Sequence, residues 1–275
     1  MGRLRSEFAD ADALLVLSES NIRYLTGFTG TGILMAGRDW LTLLVDGRYA
    51  TQARAEAPEA EILEFRNRVE GVAAMVRQRG VGSVAFESSC LSVEESLRLR
   101  EALPGTEWNP VPKSFECLRA LKDDGEIHRI REAARIAHEA LASVQGMIRP
   151  GVRESEIAME LEYRMRRAGA EKVSFETIVA SGPRSALPHA TPGNRVIADG
   201  DCVMIDYGAV WEGYHSDETC TFLVGRSTER QREVYRLVLE AHDRAIQAVR
   251  AGVSCGEIDG VARSYLDGEG LGSGF

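Results

Sequence analysis

Basic charge, paired cysteines and long apolar runs are what this 275-residue sequence is short of. Lys and Arg number 33 against 42 Asp and Glu, a net charge of −9. So acidic a surface repels phosphate backbones and excludes nucleic acid as a general partner. No window approaches the roughly eighteen unbroken apolar residues of a membrane helix, so no membrane partner is expected. The opening MGRLRSEFADADALLVLSES sets acidic residues ahead of a short apolar run and has no cleavage-site pattern, so it does not read as a signal peptide. The five cysteines, Cys90, Cys117, Cys202, Cys220 and Cys255, are scattered without a C-x-x-C pair. They read as reduced thiols of a cytoplasmic protein rather than a disulfide framework. What is present, 44% hydrophobic and 27% charged residues, suits a folded chain of one large or two ordinary domains.

Two halves differ in pattern. Short apolar runs at Ala13–Leu17, Gly32–Ala36, Leu41–Val45, Ile62–Phe65 and Val84–Phe86 read as strands. Helical patterns lie between and after them at Asn21–Leu25, Tyr49–Glu56, Val69–Arg79 and Val93–Ala102, the last opening with the capping-box spacing Ser92-x-x-Glu95. Such alternation predicts an α/β domain, residues 1–118. The turn-rich Pro104–Pro112 breaks the pattern and places the boundary near 111–120. Beyond it, Asp123–Met147 is long and amphipathic and ends at Pro150-Gly151; a second helix runs from Arg153 to Ala168. Strands are expected at Ser174–Ala180, Asp201–Val210 and Tyr214–Val224, then helices at Thr228–Arg250 and Cys255–Leu266. Helices and antiparallel strands in separate runs predict an α+β domain, residues 119–275.

The chemistry concentrates in Asp201–Phe222, DCVMIDYGAVWEGYHSDETCTF. Two alternating runs flank a turn near Trp211-Glu212-Gly213, which predicts a hairpin. With the turn centred between Trp211 and Glu212, Asp206 and Asp217 face each other. Cross-strand neighbours have Cβ atoms about 4.5–5.5 Å apart, and like charges there destabilise a sheet. A bound divalent cation offsets that repulsion directly. The period of two puts His215, Thr219 and Thr221 on the face of Asp217, the threonines as donors to the carboxylates, and turns Ser216, Glu218 and Cys220 away. A pair of solvated aspartates beside a turn is the competing reading, and a one-residue shift removes the opposition. Spacing alone does not choose.

A second candidate is His189, in the loop SGPRSALPHATPGNR (Ser181–Arg195). Three prolines and two glycines argue against regular structure there, and the apolar Ile178-Val179-Ala180 before it should be buried. A stiff loop leaving a core strand suits a proton-transfer group, with a plain surface histidine as the alternative. His128, His138 and His242 fall within helical patterns. The glycine-rich Gly27–Gly32 lacks a phosphate loop's Lys-Ser/Thr and reads as a turn. No cysteine has the surroundings of a catalytic thiolate, and Ser185 lacks a G-x-S-x-G context.

Several blocks, in order, resemble one family. NIRYLTGFTGTG and VDGRYATQA are similar to the N-terminal domain of Xaa-Pro aminopeptidases, prolidases and creatinases. KDDGEIHRIREAARIAHEAL, PGVRESEIA, SFETIVASGPRSALPHATPGNR, GDCVMIDYGA and GYHSDETCTFLVG resemble their pita-bread catalytic domain. The resemblance implies Asp206 as a bidentate metal ligand, Asp217 as a bridge between two metal ions, and His189 as a residue that contacts substrate and shuttles protons. It implies two divalent ions, manganese first and cobalt or zinc as alternatives, that activate water and stabilise the oxyanion. The implied substrate is a peptide with proline in second position, cleaved by an aminopeptidase, and the implied assembly is a homodimer. Cys220 stands where an arginine is common, on the face away from the metals.

The family's remaining ligands, one histidine and two glutamates, lie downstream of the segment matching Tyr265–Phe275. The sequence is therefore expected to be cut short before them, inactive by itself, and to leave apolar surface uncovered. Two other functions stand beside the aminopeptidase: a non-catalytic pita-bread binding module, and a prolidase- or creatinase-like hydrolase of small substrates.

Overall fold

A computed structural model describes residues 11–111 and 114–274. The first ten residues, Pro112 and Phe275, on which parts of the reading above fall, lie outside the described residues. The chain divides into two compact units, Met1–Asp123 and Asp124–Phe275.

The first unit contains β1 (Ala13–Val16), α1 (Glu19–Thr26), β2 (Ile33–Gly37), β3 (Leu41–Val45), α2 (Ala50–Glu56), β4 (Glu61–Glu64), α3 (Arg68–Arg79), β5 (Ser83–Glu87), α4 (Val93–Ala102), β6 (Glu107–Val111) and α5 (Ser114–Ala120). Its six strands form one mixed sheet in the order β4-β3-β2-β1-β5-β6. Successive residues of a strand point to opposite faces, and both faces are covered. Leu15, Ile33, Met35 and Val84 meet Val72, Val76 and Leu99 of α3 and α4. Leu14, Val16, Leu34 and Leu43 meet Ile22, Ala50 and Ala53 of α1 and α2. Burial on both sides is why ALLV is an unbroken apolar run. Ser92 caps α4, accepting from the Glu95 amide at 3.1 Å. At the start of α1, Ser18 makes no such side-chain bond. Buried Glu87 takes over, accepting from the Leu17 and Ser18 amides at 2.5 and 2.8 Å. The turn-rich stretch corrects one expectation: it contains β6, parallel to β5, with Pro110 inside it. The strand lies at the sheet edge, where a missing N–H is tolerated.

The second unit contains α6 (Asp124–Val144), α7 (Glu154–Arg167), β7 (Lys172–Val173), β8 (Ile178–Ser181), β9 (Cys202–Tyr207), β10 (Ala209–Trp211), β11 (Tyr214–His215), β12 (Glu218–Leu223), α8 (Glu229–Ala248) and α9 (Cys255–Gly268). The strands make two antiparallel sheets, β11-β10-β7 and β12-β9-β8. Ile136, Ala140 and Val144 of α6 and Ile157, Leu161 and Met165 of α7 pack on Val179, Val203, Ile205 and Tyr207. The expected strands Asp201–Val210 and Tyr214–Val224 each divide between the two sheets. The division falls at Gly208, where a Cβ would stand 2.1 Å from the Ser216 carbonyl oxygen. Only a residue without a side chain lets the two backbones pass so closely. Of the expected Ser174–Ala180 strand only the end is realised, as β8, while β7 lies just before it, and Gly182–Ala186 forms a 3-10 turn in a loop expected to be irregular. Helices α8 and α9 pack through Leu237, Ala241 and Leu266, with Tyr235, Val238, Leu239 and Ile246 of α8 exposed. No helix among the described residues is long and apolar enough to cross a membrane.

Candidate active site

The hairpin carries the two aspartates, with a register that corrects the expected one. Its two-residue turn is Glu212-Gly213, both with positive φ (45° and 80°), the conformation that suits a tight hairpin. The turn therefore centres one position later than expected, which moves every pairing by two residues. Asp206 faces Thr219, not Asp217. A two-residue shift preserves the faces. Asp217, in the bend between β11 and β12, and Asp206 on β9 both line one cleft of about 380 Å³.

His189 lines the same cleft, with Phe175, Glu176, Thr177, Ile178, Ala190, Thr191 and Pro192. The three candidate residues, far apart in sequence, are thus brought together. His215, expected on the face of Asp217, lies opposite Val210 in the other small sheet. Thr219 Oγ1 donates to Asp206 Oδ1 at 2.9 Å, as the alternation predicts. Thr221 pairs with Met204 instead. Asp217 has no hydrogen-bond partner among the described residues. Thr177 adds a buried hydroxyl that likewise has none, a group that a bound ligand can satisfy.

On the opposite face of β9, Tyr207 and Cys220 are held neutral. Tyr207 donates to Glu218 at 3.0 Å, and burial, reinforced by the Glu218 charge, pushes its hydroxyl far above the usual phenol range. Burial raises the Cys220 thiol, against the opposing hydrogen bond from Tyr207. Cys220 is therefore a protonated, partly buried group and no nucleophile.

Two carboxylates in a cleft, one unpartnered and one held by a single hydroxyl, are hard oxygen donors of the kind divalent cations take. Among the described residues, no set of three His, Cys, Asp or Glu side chains could hold an ion. Glu176 lines the cleft without completing such a set. The donor chemistry of these two carboxylates fits a divalent cation, for which they are two candidate donors.

Residues that anchor the His189 loop escaped the sequence reading. Glu154, fully buried at the start of α7, accepts at Oε1 from both the Ser181 amide and the Ser181 hydroxyl, each at 2.8 Å. Its Oε2 accepts from Arg184 Nε at 3.1 Å and from the Gly193 amide at 3.2 Å. Arg195 forks onto Asp201 at 2.6 and 3.1 Å. Burial works to raise the Asp201 carboxyl, but the Arg195 guanidinium and the Ala198 amide outweigh it and hold it below the usual carboxylate range. Glu154 resembles any acidic first-turn residue in sequence, and its partners lie 27 to 39 positions away. No local signal marks it.

Comparison with known proteins places the chain in a family. Residues 128–275 match the model of metallopeptidase family M24, and residues 3–121 match the creatinase/prolidase N-terminal domain. An Xaa-Pro dipeptidase of Pyrococcus horikoshii is 34% identical over 98% of this chain and 77% of its own length. Among solved structures, an Xaa-Pro dipeptidase from Bacillus anthracis superposes with a TM-score of 0.94 at 38% identity, covering 99% of this chain and 78% of that one. An X-Pro aminopeptidase from Thermotoga maritima gives 0.91 at 33% identity, covering 99% and 79%.

Proposed function

Because the chain belongs to metallopeptidase family M24, with a creatinase N-terminal domain before a pita-bread domain, we propose that it serves a metal-dependent aminopeptidase that removes the residue preceding proline. The observation that carries this reading is the convergence of Asp206, Asp217 and His189 on one cleft. In it Asp206 and Asp217 would supply two of the ligands to a pair of divalent ions, manganese first, with Thr219 fixing the Asp206 carboxylate. When bound, the ions supply Lewis acidity and a nucleophile available at neutral pH. His189, lining the same cleft, contacts the substrate and exchanges a proton with it. Phe175, Ile178 and Pro192 give the cleft an apolar lining that suits a proline ring. The same proposal takes 1–118 and 119–275 as the domains, and a cytoplasmic homodimer as the working form.

The dipeptidase alternative has its own support, since the relatives at 34% and 38% identity are Xaa-Pro dipeptidases. The test is hydrolysis with manganese by protein isolated from its own source. A Gly-Pro-Xaa tripeptide should lose its first residue faster than a Gly-Pro dipeptide is cleaved. The reverse preference would establish the dipeptidase, and no turnover of either would sink both.

A further inference from the structure

We propose that Glu154 is a positioning residue that holds the His189 loop against the cleft, an inference resting on the reading of His189 as the substrate-contacting group. Among the described residues the His189 ring has no hydrogen-bond partner, so its place is set by its backbone alone. That backbone is held at its ends by main-chain bonds from Ser155 to Gly193 and from Glu154 to Arg195, and by the Glu154 carboxylate. Glu154 binds Ser181 where the loop begins and Gly193 near where it ends, so a single carboxylate closes the loop. It also binds Arg184, whose Nη2 donates to the Thr191 carbonyl at 2.5 Å, two residues from His189. Arg184 is thus a strut from a buried anchor to the loop's cleft wall. All four donors converge on two oxygens, which leaves the carboxylate with no capacity unused. A buried carboxylate is costly to desolvate and persists only where such bonds offset it. Apolar packing would close a loop without that cost. A charge adds directional bonds that fix where the loop's backbone lies.

The Gly182 position supports the same economy of space. Its φ is +54°, and a Cβ there would fall 2.4 Å from Arg195 and 2.5 Å from Asp201. The loop's entry is therefore pressed against the Arg195–Asp201 pair, which also reaches the Ser181 hydroxyl. The two ion pairs grip the loop's ends, but only Glu154 reaches, through Arg184, to the residues beside His189.

The experiment compares the unmodified 275-residue chain with Glu154→Gln and with Arg184→Ala, the latter removing a partly exposed side chain and keeping the Glu154 bonds to Ser181 and Gly193. Hydrogen exchange is followed in residues 182–194 and, as an internal reference, in β9 and β12. Manganese(II) is added as a paramagnetic probe of the aspartates while line broadening of the His189 ring is read by NMR, assigned with His189→Gln. Both variants should raise loop exchange by about tenfold or more with β9 and β12 unchanged. Both should reduce the manganese broadening of His189 severalfold. Unchanged loop exchange, or unchanged broadening, overturns the proposal. If Asp206→Asn leaves the broadening intact, the metal reading fails instead; in that case, or if manganese does not broaden His189 in the unmodified chain, exchange alone decides the role of Glu154. Should Glu154→Gln not fold, Arg184→Ala carries both readouts.

Discussion

The sheet of the N-terminal unit and the β12-β9-β8 sheet of the C-terminal unit solve opposite problems. In β1 every residue is buried, Leu14 on one face and Leu15 on the other, each without exposed surface. In β9 burial alternates, with Val203, Ile205 and Tyr207 packed under the helices and Cys202, Met204 and Asp206 only partly covered. A sheet buried on both faces is nearly all packing: its buried carboxylate, Glu87 at the end of β5, is spent on the Leu17 and Ser18 amides and on Asn21. A sheet with one open face can carry carboxylates, because water or an ion rather than protein completes their surroundings. The candidate site lies on the second kind, and the strand pattern reports which kind is which.

That contrast can be broken by mutation, beginning with the largest effect. Asp206→Asn or Asp217→Asn should lower manganese affinity by more than about a hundredfold, since outer contacts alone are worth 10–100-fold. Calorimetric titration would measure this, and the metal-free unfolding midpoint should hold or rise as the like charges are relieved. Leu14→Ala should do the reverse, costing about 3–4 kcal/mol of stability by urea denaturation with manganese binding untouched. Asp201→Asn leaves Arg195 without its partner and should cost about 2–3 kcal/mol at pH 7. Its folded-state carboxyl lies below the ordinary value of 3.8, so the pair's stabilisation is present above that pH and is lost as pH falls through the lower folded value. The variant should therefore show a flatter stability profile below about pH 4 than the unmodified protein. Thr219→Val, removing one donor to Asp206, should weaken manganese binding by about tenfold and leave stability nearly unchanged. Ser254→Ala, which breaks the capping box of α9, should cost about 1 kcal/mol by thermal melting and alter nothing in the cleft.

Much of this was legible because local rules and tertiary outcome agree. The ALLV and LTLLV runs, the Ser92 cap and the stripe on α6 each state their burial in a few neighbouring letters. The Asp206–Asp217 face survived an error in register because the error was of two residues and side chains alternate with period two. The β6 strand was hidden by Pro110, a residue that argues against a strand everywhere except at an edge, and edges are a property of the whole sheet. The split of the hairpin strands was hidden for a related reason: Gly208 looks like any strand glycine until the Ser216 carbonyl is seen beside it. Glu154 was least visible, since every bond that defines its role is long-range.

The corner at Gly208 has a consequence for how the geometry of the paired carboxylates tolerates change. Asp206 lies two residues before it, and Asp217 immediately after the Ser216 carbonyl that fills the space above it. The separation of the two carboxylates is thus measured out in main-chain atoms, like a gauge cut into the backbone. Side chains in the core beneath can be exchanged for others of similar volume without resetting that gauge. Sequence drift in the core and constancy of the paired carboxylates are then compatible within one lineage, provided position 208 stays bare.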